Sequence, residues 1–179
     1  MNDLLTLLKN FTPADESERM SRELTVQFVE ENAKAFERSL LFGHVTASAL
    51  LLNKDKTKFL LMHHRKINKW FQVGGHCDGN PDTLEVAMKE ATEESGIDRV
   101  EPVMSEVFDV DVHLIPQNKG VPAHFHFDIR FLLKTVDTDE LVINHESQAL
   151  TWFSFNDELP ALEPSVHRMI RKAKELLAR

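Results

Sequence analysis

Hydrophobic and polar positions along this chain follow two periods. Residues 43–53, GHVTASALLLN, form an apolar run containing β-branched residues and predict a buried strand. DKTK (55–58) reads as a turn and FLLMHHR (59–65) as the returning strand. The period then changes. Leu84, Ala87, Met88 and Ala91 make one apolar stripe and predict a helix over about 82–95. Asp82 caps it, Glu85 completes an Asp-x-x-Glu capping box, and Gly96 supplies a left-handed stop. Residues 100–115 and 123–135 alternate as strands do, separated by the loop QNKGVP (117–122), and 149–155 reads as another strand. A terminal helix is predicted to start near Pro164 or Ser165. Residues 11–36 also read as helical: Asp15, Glu16 and Ser17 suit a start, and Leu24, Phe28 and Val29 give the apolar face. Strands mixed with a mid-chain and a terminal helix imply α/β or α+β architecture with a mixed sheet, not a barrel of eight repeats.

Composition narrows the function classes. A length of 179 residues suffices for one domain with a sizeable core, and 42% hydrophobic with 28% charged residues is ordinary for a globular chain. No stretch has the length of a membrane-spanning helix, so no membrane partner is expected. The opening MNDLLTLLKN has neither a basic leader nor a small-residue cleavage site, so no secretory signal is expected. Cys77 is the single cysteine, which rules out an internal disulfide and fits a reducing, cytoplasmic setting. The formal net charge is −8, and the basic residues are dispersed apart from HHRKINK (63–69), so duplex nucleic acid is not an expected partner. A small phosphorylated substrate stays open, because a metal ion supplies positive charge locally.

The mid-chain helix carries the chemistry. Glu90 stands three and four positions before Glu93 and Glu94. Like charges at that spacing destabilise a helix by about 0.2–0.5 kcal/mol per pair. At about 100° per residue the three carboxylates fall roughly a third of a turn from the apolar stripe, at the boundary of core and solvent. Such a group suits a hard divalent cation, which prefers oxygen ligands and bridges carboxylates to a substrate phosphate. A solvated acidic face, with Lys89 and Glu93 as an i,i+4 pair, accounts for EATEE alone equally well. The combined spacing of Gly-Gly, capped helix and KEATEESGI favours the metal.

That segment resembles the box of the Nudix hydrolases: Gly, five residues, Glu, seven residues, then Arg-Glu-aliphatic-x-Glu-Glu-x-Gly-aliphatic. Gly75 is the first glycine, and Lys89, Glu90, Ala91, Glu93, Glu94, Gly96 and Ile97 fill the second half. The preceding apolar strand, the WFQV lead-in to Gly-Gly, the late ESQALTWFSFNDELP and the terminal helix extend the likeness over about residues 43–179. Pro81 replaces the early box glutamate and Lys89 the arginine, which removes a bidentate fork. The resemblance implies a Nudix-type α/β/α sandwich with a mixed sheet, residues 43–179, preceded by a helical N-terminal extension, residues 1–42. It further implies hydrolysis of a pyrophosphate bond in a nucleoside diphosphate linked to another moiety, with Mg²⁺ or Mn²⁺ as cofactor. Glu90 and Glu94 are then the metal ligands, Glu93 a further ligand or supporting carboxylate with a catalytic role, and the Gly75 carbonyl a ligand. Glu146 is the general-base candidate from outside the box. Homodimers are common in the family.

Other residues fit around that reading. His124, His126 and Asp128 share one face of a strand. With His76 and Asp78 they make either a second metal or phosphate site or the polar wall of the substrate cleft. Arg65 and Lys69 are candidates for substrate contacts, and Trp70 for stacking or packing. Cys77 reads as a small buried residue and Met88 as core. The alternative is a Nudix-like domain that senses a nucleotide without cleaving it, favoured by Pro81 and Lys89 and opposed by the three retained glutamates.

Overall fold

The computed structural model describes residues 4–65, 68–118, 120–144 and 147–178. Its elements are α1 (Leu4–Asn10), α2 (Glu16–Glu31), β1 (Gly43–Leu52), β2 (Lys58–His64), β3 (Lys69–Phe71), β4 (Val73–His76), α3 (Thr83–Ser95), β5 (Val100–Pro102), β6 (Asp109–Ile115), β7 (His124–Thr135), β8 (Ser147–Ser154) and α4 (Pro164–Leu177). The sheet is mixed. β1 runs parallel to β7 over its whole length, from Gly43 opposite Phe125 to Leu52 opposite Lys134. Antiparallel partners flank this pair: β4 and β2 on β1, β5 and β6 on β7, with β3 and β8 on β2.

Residue parity divides the sheet into two faces. Val45, Ala47, Ala49 and Leu51 of β1, with Phe127, Ile129, Phe131 and Leu133 of β7, share one core with α1, α2 and α3. Leu50, Leu52 and Leu132 point the other way and pack beneath Val166, Met169, Ile170 and Ala173 of α4. Helices thus cover both faces, the α/β/α sandwich expected from the sequence. No helix among the described residues is long and apolar enough to cross a membrane.

Three segments depart from the expected pattern. Residues 11–36 do not form one helix. The Asp15 carboxylate accepts the Glu18 amide at 2.9 Å and starts α2, while Asn32 donates its side-chain amide to the Phe28 carbonyl at 2.8 Å as the helix ends. Phe28 stacks on Phe127 at 3.9 Å, as an apolar face requires, but Leu24 is 49% exposed. Residues 100–115 likewise form two strands. The Val103 and Phe108 amides reach the Leu132 and Arg130 carbonyls of β7, so the intervening residues bulge out of the ladder. The short strands β3 and β4 lie in the WFQVGG lead-in, where the hydropathy pattern predicts none.

The face beneath α4 is apolar only over half its length. Toward the start of β1 it turns polar: His44, Thr46 and Ser48 stand beside His126, Asp128 and Arg130 of β7 and His113, Asp111 and Asp109 of β6. Arg130 is 2% exposed. Its guanidinium meets Asp128 at 2.7 Å, Asp111 at 3.2 Å and Asp109 at 3.4 Å. Arg168 of α4 holds Asp109 from the other side at 2.8 Å, and Lys172 joins Asp109 to Glu18 of α2. This network ties both helices to the sheet by paired charges. Removing one partner of such a group leaves uncompensated buried charge, costing about 3–5 kcal/mol. Arg130→Met is therefore expected to lower unfolding free energy by about that amount, read as a fall in the urea midpoint at unchanged slope.

Candidate active site

The Gly74–Gly75 loop is held closely between sheet and helix, against strand backbone at Gly74 and against the end of a side chain at Gly75. Gly74 lies opposite Ser48 in the β1–β4 ladder, and a β-carbon on it would stand 2.2 Å from the Ser48 Cβ and 2.6 Å from its Cα. A β-carbon on Gly75 would instead meet the Glu90 carboxylate, 2.4 Å from Oε2. The Gly74 amide donates to Glu94 Oε2 at 2.8 Å. Glu90 and Glu94, one helical turn apart, thus both lie against the glycine loop.

Their burial follows from the rotation of α3. The helix buries Thr83, Val86, Ala87, Ala91, Glu94 and Ser95, while Leu84 and Met88 pack against the core from its margin. The buried arc is turned away from the predicted stripe, so Glu94 faces inward at 5% exposure. The carboxylate has a backbone amide to accept there, which replaces hydration that a buried anion would otherwise lose. Glu90 sits at the margin, 17% exposed, and Glu93 faces outward with Lys89 at 3.5 Å. Asp82 caps the helix by accepting the Glu85 amide at 3.0 Å, and Gly96 ends it with φ 72°.

The oxygen donors fit a hard divalent cation. Two carboxylates flank a loop whose close approach a single β-carbon would block, and Glu93 lies on the adjoining surface. Pro81 is exposed and brings no carboxylate. The nearby acids have other partners: Asp78 forms a bidentate pair with Arg38, Asp82 caps α3, and Glu85 accepts from Asn80 at 2.9 Å. Arg38 escaped the sequence reading. It comes from the loop before β1 and adds a cation whose charge is felt at Glu90.

The other predicted site residues divide into two groups. At the hairpin end, Arg65 donates to the Ser147 carbonyl at 3.1 Å and Lys69 pairs with Glu163 at 2.7 Å. Trp70 stacks on His63, 4.9 Å between centroids, and packs edge-on against Phe153. These partners are structural ones. Glu146 lies outside the described residues.

His76, His124 and His126 do come together, and His44 and His113 join them. Ring centroids lie 4.9 Å apart for His44 and His126, 5.0 Å for His44 and His124, and 5.1 Å for His76 and His126. His113 stands 5.5 Å from His126. Burial, together with the charge of Arg38, lowers the His76 pKa to about 4. Burial and the neighbouring histidines lower that of His126 to about 2. His44 is also lowered, by burial, against a pull from the Leu40 carbonyl. His76, His126 and His44 are thereby held in the neutral form near pH 7. Burial also raises the Cys77 thiol to about 12, which suits the packing role read from the sequence and leaves no thiolate for chemistry.

Residues 43–173 match the model of the NUDIX domain family. The chain belongs to that family. Its fold is shared by solved Nudix structures at low identity. The Ap4A hydrolase of C. elegans, solved as a binary complex, aligns with a TM-score of 0.58 at 21% identity over 75% of this chain and 97% of its own. A MutT NUDIX hydrolase from Burkholderia pseudomallei gives 0.58 at 17% over 73% and 97%. An ADP-ribose pyrophosphatase from Streptococcus suis gives 0.53 at 23% over 75% and 92%. This Nudix hydrolase has the family's glycine loop and box helix in contact, as its spacing of Gly75 and Lys89–Ile97 predicts.

The two glycines are expected to respond differently to the same change. Gly74→Ala drives a β-carbon into Ser48 and strand backbone, which flexible side chains cannot relieve, and should cost about 3 kcal/mol or more. Gly75→Ala meets the end of the flexible Glu90 side chain and should stay within about 1 kcal/mol of the parent. Chemical denaturation of the two variants checks the contrast.

Proposed function

We propose that this Nudix enzyme hydrolyses a pyrophosphate bond in a nucleoside diphosphate derivative, with Mg²⁺ or Mn²⁺ bound by Glu90 and Glu94. The observation that carries the reading is the contact of both carboxylates with one loop: Gly74 N–H on Glu94 at 2.8 Å, and Gly75 against Glu90. Glu93 and the Gly75 carbonyl complete the proposed donor set, all of it oxygen, as a hard cation requires. Held by these residues, a divalent ion would supply charge neutralisation at the diphosphate oxygens and activation of a water.

The chain's own residues supply position. The Gly74 amide fixes one Glu94 oxygen and orients the other. Lys89 holds Glu93 and approaches Glu90 at 3.8 Å, offsetting repulsion between neighbouring carboxylates. Glu93 and Glu146 are the groups we assign to handling the proton of the attacking water. His76, His124 and His126 form a wall of imidazoles beside the loop, which we assign to polar groups of the substrate, with Arg65 and Lys69 as the further substrate contacts. Residues 1–42 act as an extension of a domain spanning 43–179, seated on the same core through Leu4, Leu8, Phe28 and Ala35. Arg38 brings that extension to the edge of the site.

Glu94→Gln keeps an acceptor for the Gly74 amide while removing the charge, so the fold is expected to persist. Glu90→Gln and Glu94→Gln should each lower kcat by at least about a hundredfold, near 2.7 kcal/mol, on a panel of nucleoside diphosphate derivatives with Mg²⁺ or Mn²⁺. Parental turnover in both variants overturns the assignment. Nucleotide binding without turnover by the parent chain across the panel favours the sensing role instead.

A further inference from the structure

The histidine cluster does more than line a cleft. Among the described residues, one trio of histidine, cysteine or acidic side chains has ligand atoms all within 4.8 Å of one another: His44, His124 and His126. The box glutamates do not form such a trio. The three histidines come from adjacent parallel strands, His44 opposite His126 and His124 two residues earlier on β7. Their positions are fixed by the ladder, not by a loop.

The ring nitrogens are prepared for a ligand. His44 is 4% exposed, and neither of its ring nitrogens makes a well-formed hydrogen bond, the Leu40 carbonyl giving only a pull from one side. His126 Nε2 is also buried without one. A buried polar atom left unpaired forfeits its hydration with nothing in return. Two adjacent imidazoles with three such atoms therefore call for something between them. His124 Nδ1 lies 2.9 Å from the Pro122 carbonyl, an acceptor, so Nδ1 carries a proton and Nε2 is the atom turned away from that bond. His113 is held in the same manner by Asp111, with Nδ1 at 3.0 Å from the carboxylate. Metal-bound histidines are oriented by carbonyl or carboxylate partners of this kind.

We propose that His44, His124 and His126 bind a divalent transition-metal ion of the Zn²⁺ class, at a site separate from the carboxylates of α3. Nitrogen donors select such ions over Mg²⁺, which prefers oxygen. At Zn–N bonds of about 2.0–2.1 Å in a tetrahedral site, ligand nitrogens stand about 3.3 Å apart, so small side-chain rotations close the present spacing. His76 lies beside the trio, 5.1 Å from both His44 and His126 between ring centroids. His113, with a side chain 39% exposed, lies at the solvent edge of the cluster beside His126. An ion here would brace β1 against β7, beside the His76 that directly follows Gly75. The site does not depend on the hydrolytic assignment, since it shares no ligand with it.

The test uses the untagged full-length chain, stripped with a chelator and titrated with Zn²⁺ and Co²⁺. Uptake of one ion per chain is expected, with visible d–d absorption of a four-coordinate, nitrogen-ligated Co²⁺ complex. His44→Gln and His126→Gln should weaken binding at least about a hundredfold, while the Glu90→Gln/Glu94→Gln double variant keeps it. Circular dichroism and urea midpoints of the metal-free variants check folding. Should either histidine variant fail to fold, His124→Gln and the Co²⁺ spectrum of the parent chain decide the matter. Absence of uptake by the parent overturns the proposal, and so does uptake that vanishes in the glutamate double variant but survives the histidine changes.

Discussion

A guanidinium with almost no access to water organises this fold. Arg130 cannot shed its charge at any ordinary pH, so burial forces carboxylates to surround it, and Asp128, Asp111 and Asp109 do so from two adjacent strands. Asp109 in turn binds Arg168 and Lys172 of the terminal helix, and Lys172 reaches Glu18 near the other end of the chain. Elements remote in sequence are thus locked in one arrangement by charges that pair well in no other. Hydrophobic burial beneath α4 is non-directional, and these ion pairs add a directional constraint on where α4 sits.

The same network prepares the site. Asp128 also accepts from Thr46 and Ser48 of β1, at 3.1 and 2.8 Å. That fixes the strand against which the Gly74 backbone packs, and through Gly74 it fixes Glu94. The carboxylates we assign to the hydrolytic metal are therefore positioned by a rigid sheet, with the loop serving only as the point of contact. Preorganisation of this kind keeps charged ligands in place before substrate arrives.

Beyond Thr46 the polar stripe turns from acids to imidazoles. His44 and His126 are opposite one another in the parallel ladder, and His113 is opposite His126 on the other side. The change of residue type along one continuous face produces two chemically distinct regions next to the glycine loop: oxygen donors on α3 and nitrogen donors on the sheet. They differ in the class of cation they suit.

Much of this was legible in the sequence, because local signals are strong where one face of an element is uniform. The limits of β1, α3 and α4, the Asp82 and Gly96 caps, and the box glutamates all follow from period, capping chemistry and spacing. The rotation of α3 did not follow from apolar periodicity, because the Gly74 amide gives Glu94 a reason to face inward that no count of apolar residues contains. His124 and His126 were visible as a strand-face pair. His44 and His113 were not, since their meeting depends on β1 lying parallel beside β7 and β6 antiparallel on its far side. Arg38 likewise had no local signature, as a loop residue acquires meaning only from the Asp78 it reaches. The sequence by itself determined which segments become strands and helices and which helix carries the carboxylates, because those depend on neighbours a few residues away. Tertiary structure alone decided how α3 is turned and which histidines share a pocket, because backbone pairing across some eighty residues of chain brings those groups together.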